Sequence, residues 1–169
     1  MRPFSLLVVT STILCSASLA NAQPSAPSPA DYVMQSGQSD QFEIQEGQLA
    51  QQMSKAPPIK HFGAMMVKDH TKSTQMVTEA AATSGLPPMP PPPLTSEQSQ
   101  NLAALQAAAP ADFDAMYLHQ QYKAHQDALQ LQQVYASSGS DKNLKRVAAK
   151  IVPVVQMHAS MITTLGSAQ

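Results

Sequence analysis

Apolar residues recur at helical spacing through four long stretches, each of about 25 residues or roughly 38 Å of helix. From Tyr32 to about Lys55, Phe42, Leu49 and Met53 keep the pattern until Pro57-Pro58 ends it. The second stretch carries Ile59, Phe62, Met66 and Val77 and stops at Gly85, a residue suited to the left-handed position beyond a helix. Leu86 to Leu94 is proline-rich and predicts an extended polyproline segment covering roughly 25 Å. Thr95 and Gln98 have capping-box spacing and open a short helix through Leu102 and Leu105. Pro110 closes that helix and starts the third long one, with Phe113, Tyr117, Leu118, Ala128, Leu131 and Tyr135 on its apolar side. After a Ser138-Gly139-Ser140 turn, the fourth runs from Asp141 to Leu165 on Leu144, Val147, Ile151, Val155, Met161 and Ile162.

Four helices of matched length bury their apolar stripes by forming a bundle. The first and last connections are tight, and the middle one is long enough to travel the length of the bundle. Hairpin, crossover, hairpin is the ferritin-like topology. The expectation is an all-α, ferritin-like four-helix bundle over residues 31–166, with a Pro-rich crossover and a short extra helix. An up-down-up-down order is the alternative, because the linker can also fold back on itself.

The polar positions inside this pattern carry the candidate chemistry. His158 interrupts the apolar stripe of the fourth helix, and His70 shares a face with Ile59, Phe62, Met66 and Val77. His125 lies at the edge of its helix's stripe, one turn before Leu129. Glu43 and His70 lie about equally far on either side of the proline break, so a hairpin sets them at one height. Ser36, Ser39, Gly47 and Ala50 share the face of Glu43, where a neighbouring helix can approach closely. A buried carboxylate has to be paired or metal-bound. One carboxylate and three imidazoles suit iron, manganese, copper or zinc. Asp69 is the expected outer partner or additional ligand. The alternative is a hydrogen-bonded polar core that fixes helix register.

Other features narrow the chemistry. Val67 and Val155 stand where a two-metal carboxylate site needs glutamate three residues before histidine. Methionines near the histidines (Met65, Met66, Met157, Met161) raise copper(I) chemistry, although methionine at helical spacing is more often core filling. His61 and His119 are read as solvent-facing, Tyr117 as core with a bonded hydroxyl, and Asp112 and Asp114 as first-turn acids. Pro153 inside the fourth helix is expected to bend it. No phosphate-binding loop, dinucleotide fingerprint or nucleophile elbow is present.

The N-terminus reads differently. Arg2, the short apolar run from Leu6 to Leu14 and the Ala20-Asn21-Ala22 site form a secretory signal, with cleavage near Ala22/Gln23. Residues 23–30 make a flexible Pro/Ser/Ala leader. Cleavage would remove Cys15, the single cysteine, and leave about 147 residues that fold without disulfides or thiolate ligands. The localisation expected is the periplasm or the secreted fraction. The net charge of −1 and scattered lysines give no basic face for nucleic acid, and no later stretch approaches membrane-span length.

Two sets of motifs resemble a known family. Glu43-Ile44 followed by Leu49-Ala50, then Met66-Val67-Lys68-Asp69-His70, is similar to the first half of the bacterial secreted family called domain of unknown function 4142. Phe113-Asp114-x-x-Tyr117, His125, and Pro153 followed by His158 resemble its second half. The resemblance covers about residues 30–165. It implies an exported ferritin-like bundle in which Glu43, Asp69, His70, His125 and His158 are the positions to carry across, and it implies no activity.

Overall fold

The computed structural model describes residues 25–167, which form five α-helices and no strand. The signal-peptide reading of residues 1–22 lies outside the described residues. Helix α1 spans Pro29–Met53, α2 Pro57–Thr83, α3 Ser96–Gln106, α4 Phe113–Ser138 and α5 Lys142–Ser167.

Local chemistry sets most of the helix ends. Ser28 caps α1 by accepting from the Asp31 backbone N–H at 3.2 Å, with Pro29 in the first helical position. The helix therefore starts inside the proline-rich leader. Pro57 and Pro58 occupy the first turn of α2, where a missing N–H costs no helical bond. Gly85, at φ 76°, ends α2. Its N–H bonds to Ala82 O and that of Leu86 to Ala81 O, both at 3.0 Å, which is the paired closure of a Schellman motif. The Thr95–Gln98 capping box opens α3 as its spacing predicts. Helix α4 starts at Phe113, three residues beyond the expected Pro110. The N–H groups of Asp112 and Phe113 both turn back onto Ala109 O, so a tight turn precedes the helix. Asp141 caps α5 through Asn143 and Leu144, and its Oδ1 also accepts from Ser84 Oγ at 2.8 Å. Helix α5 continues through Pro153, which is exposed.

Contacts between helices fix the topology. Tyr32 bonds to Gln132 and Glu46 to Gln121, so α1 and α4 are antiparallel. Asp40 faces His70, and Gly47 faces Gly63, so α1 and α2 are antiparallel. Ser84 meets Asp141, and Asp69 meets His158, so α2 and α5 are antiparallel. Helices α2 and α4 consequently run in the same direction. That is the ferritin-like arrangement, and it excludes up-down-up-down order. The crossover lies along α1, where Gln38 Nε2 donates to Pro93 O at 3.0 Å and Pro92 packs over Gly37.

The core is divided by a polar layer. At one end Tyr32, Val77, Tyr135, Leu144, Ile151 and Val155 pack together, with the Tyr32 and Tyr135 rings stacked at 3.8 Å. At the other end Phe62, Met66, Leu105, Phe113, Tyr117 and Ile162 form a second cluster. On each of the four long helices the stretch between these clusters carries the buried acids, glutamines and histidines.

Candidate metal centre

Each of the three candidate histidines is fully or almost fully buried in the layer between the clusters. One ring nitrogen from each of His70, His125 and His158 lies within 4.8 Å of the other two. Ring centroids are 5.7 Å apart for His70–His125, 5.6 Å for His70–His158 and 5.4 Å for His125–His158. The hairpins put one histidine on α2, one on α4 and one on α5 at a common height.

Each imidazole is held from behind. His70 Nδ1 donates to Asp40 Oδ1 at 2.8 Å. His125 Nδ1 donates to the Gln121 carbonyl at 2.9 Å, one turn back on its own helix. His158 Nε2 pairs with Asp69 Oδ2 at 3.1 Å. The remaining nitrogens, His70 Nε2, His125 Nε2 and His158 Nδ1, are buried without a hydrogen-bond partner. Glu43, wholly buried, sets Oε2 at 3.0 Å from His70 Nε2 and 3.2 Å from His125 Nδ1, out of hydrogen-bond alignment with both. Its Oε1 accepts from Ser39 at 3.0 Å. Glu43 thus touches two of the three histidines. Asp69 reaches only the third, behind His158.

The electrostatics put one positive charge in this layer. Burial pushes His70 down, but the carboxylates of Glu43 and Asp40 on either side outweigh it and raise the imidazole to about 10. Burial pushes Glu43 up, and the His125 and His70 rings overcome this, leaving the carboxyl at about 2. His125 is driven below the usual histidine range by burial, against the pull of Glu43, and the charge on His70 adds to the lowering. His158 falls to about 4, through burial and then the neighbouring His70 and His125. Two imidazoles are therefore neutral at physiological pH, the form in which histidine binds metals.

Several members of this layer lay outside the sequence reading. Asp40, Glu46 and Gln121 are buried, and Gln121 Nε2 donates to Glu46 Oε2 at 2.8 Å. Burial lifts Glu46 to about 8. The signal was present: Asp40, Glu43 and Glu46 recur every three residues and mark one stripe of α1. Two expectations are corrected. The Tyr117 hydroxyl has no hydrogen-bond partner among the described residues, because its ring sits between Phe62 and Phe113 in an apolar cluster. Asp112 precedes the first turn of α4 instead of lying within it. His61 and His119 are exposed, Met66 and Met161 pack in the apolar cluster, and Met157 is on the surface.

The donor set fits a transition metal. Imidazole nitrogens and a carboxylate suit iron, manganese, copper and zinc, and an outer carboxylate or carbonyl on the second nitrogen is the usual support of a ligating histidine. Ligands on one ion, at bonds of about 2.0–2.1 Å, lie roughly 3–3.5 Å apart.

Among solved structures, the fold is similar to the crystal structure of a DUF305 fragment from Deinococcus radiodurans. The TM-score is 0.71 at 15% identity, covering 86% of this chain and 99% of that one. No curated protein matches the sequence. The family model described as "Domain of unknown function (DUF4142)" matches residues 15–165. This chain, a helical bundle built around three buried histidines, belongs to the DUF4142 family.

Proposed function

We propose that this protein is an exported metal-binding bundle, holding one transition metal on His70, His125 and His158 beside Glu43, with a role in metal handling or envelope stress. Asp40, Asp69 and the Gln121 carbonyl orient the three rings. One observation carries the reading. Three buried ring nitrogens and a buried carboxylate oxygen have no hydrogen-bond partner, while the opposite nitrogen of every ring is bonded. A buried polar atom left unpaired costs about 1–3 kcal/mol. His125 Nε2 and His158 Nδ1 are left without a partner, and His70 Nε2 faces only the Glu43 oxygen at 3.0 Å, whereas a cation satisfies all of them together. Export rests on the signal sequence of residues 1–22, and iron, manganese, copper and zinc all fit the donor types.

The second reading is a polar core without metal. The approach of Glu43 to both His70 and His125 favours it, since an imidazolium between Glu43 and Asp40 is itself a paired charge. Elemental analysis of protein purified without an affinity tag separates the two. Near-stoichiometric metal, bound more weakly in His158→Ala with the helical content retained, is the expected result. Absence of bound metal under every loading condition would leave only the polar core.

A further inference from the structure

We infer that the groove between α2 and α5 is a binding site for a small aliphatic carboxylate, which reaches the metal held by the three histidines. The inference deepens the metal reading and rests on it. The groove encloses about 320 Å³. That lies at the lower end of the range of about 300–1,000 Å³ found for small-molecule pockets and far above the share of roughly 30 Å³ taken by one water. His70 and His158 both line it, so it borders the histidine cluster.

Three further features specify the ligand. Lys72 and Lys150, one from each helix, line the groove and are exposed, and neither forms a salt bridge among the described residues. The acid in the groove, Asp69, is committed to His158. The rim therefore attracts anions. The Ser73 hydroxyl in the lining is buried without a partner and can donate to an incoming oxygen atom, while His158 Nδ1, also unpartnered, is the nitrogen assigned to the metal. The α5 wall is Ile151, Val154 and Val155, a surface for a short alkyl chain and not for a second charge. A carboxylate head on the metal and Ser73, with an aliphatic body against this wall, satisfies all three. On the adjacent side of α2, by contrast, α1 and α2 close on Gly47 and Gly63.

Cobalt(II)-loaded full-length protein supplies the test, with metal content measured first and the visible cobalt absorption followed during titration at constant ionic strength. Butyrate is expected to give a saturable change, binding more tightly than acetate by roughly fourfold per added methylene. Val154→Trp fills the groove without touching a ligand and should abolish the change while cobalt stays bound. The double variant Lys72→Met/Lys150→Met should keep cobalt and weaken butyrate by roughly tenfold. Bound cobalt with a spectrum indifferent to butyrate overturns the groove assignment and leaves the metal site standing. So does an unchanged response in both variants. If the protein takes up neither cobalt nor iron, manganese, copper or zinc, the metal reading fails and this inference falls with it.

Discussion

Asp40 supports His70 from a position that no apolar periodicity reveals, yet its removal should be felt by any metal the three histidines hold. Outer partners of ligating histidines are worth about 10–100-fold in metal affinity. Asp40→Asn and Asp69→Asn are therefore expected to weaken metal binding within that range, measured by competition against a chromophoric chelator. Glu46 gives a separate prediction, in pH. Its carboxyl titrates near 4.5 when exposed and at about 8 when folded, so between those values the folded chain holds more protons than the unfolded one. The contribution of Glu46 to stability then falls as pH rises through that window, by an amount on the order of a few kcal/mol. Glu46→Gln should flatten the fall in urea midpoints between pH 5 and 8, keeping a Gln121 partner; an unchanged slope would remove Glu46 as its source. The histidines were readable because each interrupts or borders an apolar stripe, and Glu43 because small residues share its face and a hairpin sets it level with His70. Asp40 and Glu46 share the three-residue spacing of Glu43 but no apolar pattern marks that stripe as buried, and Gln121 carries no such signal, because α1 and α4 mix polar and apolar residues around much of their circumference.

At the scale of the element, two glycines decide how closely α1 and α2 approach. A Cβ on Gly63 would lie 2.7 Å from Gly47 O and 2.9 Å from the Ala50 Cβ, and one on Gly47 would lie 2.7 Å from Gly63 O. Backbone cannot yield as a flexible side chain does, so Gly63→Ala should destabilise by roughly 1–3 kcal/mol. Gly166, with open space around it, is the control: alanine there should be neutral or stabilising by up to about 1 kcal/mol. Differential unfolding of the two variants checks both, and equal effects would mean that the close approach is not what matters. The helix ends show what sequence carries at this scale. The capping box and Gly85 were legible because a side chain or a conformational preference marks them. The start of α4 was not, because backbone bonds onto Ala109 delay the helix past the proline that suggested it.

For the whole molecule, the four long helices and their pairing were legible in stripe length and connection length, and antiparallel contacts along each helix pair establish the ferritin-like order. What sequence could not show was which buried atoms remain unpaired once the helices meet, since that depends on side-chain directions across three interfaces. The polar layer divides the core, so filling it with an ion should stabilise both halves together. Free metal at 100 times its dissociation constant would add about 2.7 kcal/mol to unfolding, and chelation should remove the same increment. X-ray absorption spectroscopy of the metal-loaded protein addresses the centre most directly. The predicted spectrum has nitrogen and oxygen neighbours at about 2.0–2.2 Å with the outer-shell scattering of three imidazoles, falling to two in His158→Ala. A spectrum without imidazole scattering, or one unchanged by that substitution, would contradict the assignment of these histidines as ligands.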